Sequence, residues 1–129
     1  MTFEFLTLED AFDIHAMQLA RYGGGEGIRD RALLESALAQ PQMTFDGEYV
    51  HVGIFSMAAA YLFHIVSNHP FVDGNKRTGL LCILVFLDLN GIAIERNSDA
   101  LYDLTMAVAE GRTNKVEVAE ALESIASLH

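Results

Sequence analysis

The stretch from His69 to Gly91, HPFVDGNKRTGLLCILVFLDLNG, limits what this chain can become more than any other. Its apolar run from Leu80 to Leu87 has no polar position, so a helix built from it has no face to turn toward water. Such a helix belongs at the centre of a fold. The residues ahead of the run are of another kind: a histidine, an aromatic, a carboxylate and two adjacent cations. A polar tip on a buried rod emerges from the core at a fixed place, which is how a rigid site is built.

Length and charge narrow the rest. The chain has 129 residues, 51% of them hydrophobic, which suits one domain over 1–129 with a sizeable core. Eighteen acidic against eight basic residues give a net charge of −10, which repels nucleic acid and anionic membranes and leaves proteins or small molecules as the expected partners. The single cysteine, Cys82, lies inside the apolar run, so no intrachain disulfide can form and a reducing, cytoplasmic setting is expected. The opening MTFEFLTLEDAFD lacks the basic start and apolar core of a secretory signal. The longest apolar run falls well short of the ~18 residues of a membrane-crossing helix.

Caps and breakers divide the chain into helices. Thr7 with Asp10 reads as a capping box, and Leu8, Phe12, Ala16 and Leu19 keep helical spacing as far as Gly23, which predicts a helix over 8–22. Asp30 caps a second helix carrying Leu33, Leu34, Ala37 and Leu38, stopped by Pro41. Val52, Phe55, Ala59, Leu62, Phe63 and Val66 predict a third over 48–67, and the central helix follows over 74–90 with Gly91 at C′. Ile92 to Ile94 have no partner strand and are read as loop. Asn97 or Ser98 opens a helix that ends at Gly111, and Asn114 with Glu117 opens the last. The fold class is all-α: one compact domain of about six helices around a central buried helix.

The chemistry concentrates at the start of that central helix. Its first amides have no intrahelical acceptor and the macrodipole adds partial positive charge, which favours an anion there. Gly74 allows close approach. Lys76 and Arg77 occupy the first turn, where the dipole disfavours cations by ~0.3–1 kcal/mol each. Stability alone would not choose them; a polyphosphate held between them would. Asp73 is placed either to cap the helix or, with phosphate oxygens, to hold Mg²⁺. His69 can take a proton from an attacking hydroxyl, or serve as a structural loop residue. Phe71 packs inward and holds the loop. The Gly23–Gly27 run lacks a P-loop pattern and reads as an interhelical turn. His15, His51 and His64 read as ordinary histidines in helices, without zinc-ligand company.

Together these residues resemble the Fic/Doc family. The Fic pattern, His-x-Phe-x-Asp/Glu-Gly-Asn-Gly-Arg-x-x-Arg, is matched in register by His69, Phe71, Asp73, Gly74, Asn75 and Arg77. Lys76 stands where Fic enzymes have glycine, and Leu80 where they have the second arginine. Both departures resemble the Doc, or death-on-curing, branch, as do ARYGG, Gly27, Arg29, Asp30 and LLESAL.

The resemblance implies a compact helical fold and a Mg²⁺-dependent transfer from ATP, as co-substrate, to a protein hydroxyl. By position it implies His69 as general base, Asp73 as Mg²⁺ ligand, Gly74, Asn75 and Lys76 as the anion-binding turn, and Arg77 as phosphate clamp. Doc toxins are understood to move the γ-phosphate onto a threonine of translation elongation factor Tu, stopping translation. The alternatives are a Fic-type transfer of AMP and a non-catalytic nucleotide-binding module. Family members are restrained by an inhibitory helix, Ser/Thr-x-x-x-Glu-Gly/Asn. Here Thr105 and Glu110 are one residue too far apart, and Thr113 with Glu117 is followed by Val118. The implied partner is therefore an antitoxin bound in trans, its tail folding into an apolar groove.

Overall fold

The computed structural model describes residues 2–95 and 98–127. Within them the fold is all-α, as the sequence predicts, apart from one small hairpin. Helix α1 (Leu8–Tyr22) starts on the expected capping box, with Thr7 Oγ1 accepting from Asp10 N at 3.1 Å and Asp10 Oδ2 from Thr7 N at 2.8 Å. It stops at Gly23, whose φ of 78° is open to glycine at little steric cost. Helix α2 (Arg31–Ala39) is capped by Asp30 and runs into a single 3-10 turn at Gln40–Gln42, where Pro41 is buried.

The expected third helix is shorter than its apolar spacing suggests. Strands β1 (Thr44–Phe45) and β2 (Glu48–Tyr49) pair antiparallel around Asp46 and Gly47, both at positive φ. An Asp-Gly pair is a strong hairpin signal, because both central residues of the favoured turn need positive φ. Helix α3 therefore runs over Ile54–Asn68 rather than from Glu48, and Val52 is 79% exposed instead of joining the core stripe. His51 likewise lies in the loop before α3.

Helix α4 (Asn75–Leu89) is the central rod, with Thr78, Gly79, Leu81–Leu84, Phe86 and Leu87 buried. It shares the centre with α3, which packs against α2, α4, α5 (Asp99–Ala109) and α6 (Lys115–Ser127). The α3–α4 crossing is close: a Cβ on Gly79 would lie 3.0 Å from Val66 Cγ2. Ser98 caps α5 through Leu101 N, while Asn97 lies outside the described residues. Asn114 opens α6 by accepting from Glu117 N at 2.9 Å. No described helix is long and apolar enough to cross a membrane. The tight crossing leaves the segment 69–74 to join the end of α3 to the beginning of α4.

Candidate active site at the start of α4

The segment 69–74 is held from both sides. His69 forms the C-cap of α3 at φ 47° and ψ 54°, a left-handed conformation costing a non-glycine residue roughly 1–2 kcal/mol. Arg29 stabilises it: Nε donates to the His69 carbonyl at 2.6 Å and Nη2 to the Asn68 carbonyl at 2.7 Å. A guanidinium suits those orphan carbonyls at the negative helix end. The amides of Arg29 and Asp30 donate to the Pro70 carbonyl at 2.8 and 3.0 Å, and Val72 N donates to the Gly27 carbonyl at 3.1 Å. Asn68 Nδ2 reaches the Leu33 carbonyl at 3.1 Å, tying α2 to the same corner.

Phe71 packs inward, as expected, at 1% exposure. Its ring stacks on His15 of α1, with centroids 3.9 Å apart and planes 8° from parallel. Asn75 spans the segment with its side chain, accepting from Phe71 N at 2.9 Å and donating to the Phe71 carbonyl at 3.0 Å. Any anion contact from Asn75 therefore falls to its main-chain amide.

Asp73 is not the helix cap. Gly74 is, at φ 78°, and it has no side chain to offer, whereas α1, α2 and α5 each carry a side-chain cap. The Asp73 carboxylate accepts from Gly74 N at 2.8 Å and from Gly25 N at 3.3 Å. Gly24 packs so close that a Cβ there would lie 2.7 Å from Asp73 Oδ2. The glycine run is thus an interhelical turn that also seats this carboxylate.

His69, Asp73, Gly74, Asn75, Lys76 and Arg77 all line one cleft of about 670 Å³. Tyr102, Thr105, Met106 and Ala109 of α5 line it as well; of these the sequence singles out only Thr105, in an inhibitory pattern that it does not complete. Lys76 and Arg77 are exposed, and the ion pairs among the described residues, Arg31–Glu35 and Arg112–Glu110, involve neither. Arg77 instead lies over the Tyr22 ring, its Cζ 4.2 Å from the centroid. It also lines a shallow groove between α1 and α4 walled by Met17, Leu81 and Leu84.

Outside this cleft, His51 and His64 do not stand alone. The Lys115 ammonium donates to Nε2 of both, at 3.2 and 3.1 Å. Burial, then the Lys115 charge, then His51, push His64 down to about 4. Burial and Lys115 lower His51 too. Burial, with a smaller push from Asp10, raises the Cys82 thiol to about 12, so it remains protonated and unreactive.

The helical fold and this cleft define a class, and comparison with known proteins supplies its name: residues 5–87 match the Fic/DOC family model, and the chain belongs to that family. One relative, named Toxin Doc, from Mycolicibacterium smegmatis (strain ATCC 700084 / mc(2)155), is 33% identical over 126 residues, covering 96% of this chain and 95% of that protein. Another, named Protein kinase doc, from Escherichia phage P1, is 32% identical over 117 residues, 91% of each chain.

Proposed function

We propose that this chain is the toxin of a toxin–antitoxin pair and transfers the γ-phosphate of ATP to a protein hydroxyl. The observation that carries the reading is the convergence on one cleft of His69, the uncapped amides of α4 and two cations that have no carboxylate partner among the described residues. A His69 ring nitrogen takes the proton of the acceptor hydroxyl as that oxygen bonds to the γ-phosphorus; the bond from phosphorus to the β-phosphate oxygen breaks, and ADP leaves. Lys76, Arg77 and the amides of the first turn hold the charge that spreads over the phosphate oxygens. Positioning carries the rest of the rate, since this chemistry needs no covalent enzyme intermediate.

Among the described residues no group of three or more His, Cys, Asp or Glu could cage a metal. One exposed carboxylate on a phosphate cleft fits Mg²⁺, which takes one or two carboxylates alongside phosphate oxygens. Asp73 would hold it, and the ion would neutralise charge between the β- and γ-phosphates. Lys76 and Leu80, in place of the Fic glycine and second arginine, favour phosphoryl over AMP transfer. The partner in trans is an antitoxin, and the expected acceptor is a threonine of elongation factor Tu. The relatives' names, Toxin Doc and Protein kinase doc, support the toxin and kinase parts of this reading.

The test is incubation with γ-labelled ATP, Mg²⁺ and a translating extract. One labelled protein is expected, to be identified by mass spectrometry, with no label from His69→Ala. Label arriving from the α-phosphate instead would establish AMP transfer. Equal toxicity of wild type and His69→Ala would establish a non-catalytic module.

A further inference from the structure

His15 is 6% exposed and sits on α1, far from the motif in sequence, yet it touches the motif three ways. Its face stacks on Phe71 at 3.9 Å. Its Nε2 lies 2.9 Å from the Asp73 carbonyl oxygen. Its edge abuts Gly74, where a Cβ would lie 3.9 Å from both Nε2 and Cδ2. A carbonyl oxygen only accepts, so Nε2 carries the hydrogen, and in the neutral ring Nδ1 is bare.

We infer that His15 is a positioning residue for the anion-binding tip of α4, acting through the Asp73–Gly74 peptide. The inference rests on the reading of that tip as the phosphate site. A peptide unit is planar and trans, so holding the Asp73 carbonyl also fixes the direction of the Gly74 N–H on its opposite edge. The residue after this peptide is a glycine at φ 78°, the residue type least able to resist rotation of the unit. The Asp73 carboxylate receives that same Gly74 N–H at 2.8 Å. One imidazole hydrogen bond therefore sets the peptide that orients both the carboxylate and the entry to the first turn. Packing alone does not require a histidine here: phenylalanine would preserve the stack on Phe71 but leave the Asp73 carbonyl without its donor.

Two substitutions separate these roles. His15→Gln keeps an amide donor near the Nε2 position; His15→Phe keeps the stacked ring and loses the donor. Equilibrium binding of ATP with Mg²⁺, measured calorimetrically, should weaken roughly threefold to tenfold in His15→Phe, the value of one hydrogen bond, and stay within about twofold in His15→Gln. In turnover the loss should fall on KM for ATP more than on kcat. Nitrogen-15 NMR of the wild type should show a hydrogen on Nε2. The Gly74 amide resonance should move in His15→Phe and return toward its wild-type position in His15→Gln.

A folded His15→Phe that binds ATP like the wild type overturns the inference, as does an Nε2 found without a hydrogen. If the wild type binds no ATP at all, the phosphate reading of the tip falls. The ring tautomer and the Gly74 resonance then still decide whether His15 holds the peptide. A His15→Phe chain that fails to fold leaves the wild-type tautomer and the His15→Gln measurements to decide it.

Discussion

Acidification from pH 7.5 to 5.0 should loosen the attachment of α6 to α3 through His64. Both His64 and His51 accept a hydrogen bond from the Lys115 ammonium, and a ring can do so only while that nitrogen is unprotonated. In the unfolded chain His64 titrates near 6.5; in the fold, burial first and Lys115 second bring it down to about 4. Between these values the unfolded state binds the proton and the folded state does not. The stability is therefore fully present above about pH 6.5 and is lost as pH falls toward 4. Linkage over the interval gives about 2 kcal/mol for a fully shielded ring, and the partial exposure of His64 reduces that to roughly 1 kcal/mol. His51 adds to it in the same direction. Other groups titrate in the same range, so the measurement is a difference: urea denaturation at both pH values for the wild type and for His64→Gln. The wild type should lose about 1 kcal/mol more than the variant over the interval, or roughly 3–5 °C in Tm. Equal losses within about 0.3 kcal/mol would refute the Lys115–imidazole account; that margin is the usual scatter of additive effects.

Other expectations follow from single contacts. Arg29→Ala removes two charge-assisted hydrogen bonds from the His69 and Asn68 carbonyls; kcat for transfer should fall about tenfold with KM for ATP little changed, and stability should drop by about 1–2 kcal/mol. Gly24→Ala places a methyl 2.7 Å from Asp73 Oδ2 at φ 121°, so a Mg²⁺ titration of the transfer should shift to severalfold higher concentration. Gly79→Ala crowds Val66 at the helix crossing and should lower stability by about 1–3 kcal/mol in denaturant melts, with the cleft residues unchanged.

What could be read from the chain was whatever physics writes locally. Thr7, Asp30 and Ser98 cap the helices they were expected to cap, and the apolar run from Leu80 is mostly buried in α4. The cleft residues from His69 to Arg77 lie together because they are neighbours in sequence as well as in space. The Asp46–Gly47 hairpin was also written locally, but continuous helical spacing through Val52 masked it. The roles of Arg29, His15 and Lys115 were not legible, because each acts on partners at least 39 residues away. Nor was the α5 wall, since Tyr102 and Met106 meet the motif only once α5 has packed against α3 and α4. Single polar residues with distant partners carry no periodicity to betray them.

Gly74 leaves the head of α4 without the side-chain cap that a helix ordinarily carries, and its φ of 78° would strain the serine or aspartate that usually supplies one. On the proposed reading a bound phosphate would take the place of that missing oxygen, and α4 would be complete only while substrate is held. The backbone that shapes the mouth thus also keeps it from being plugged from within.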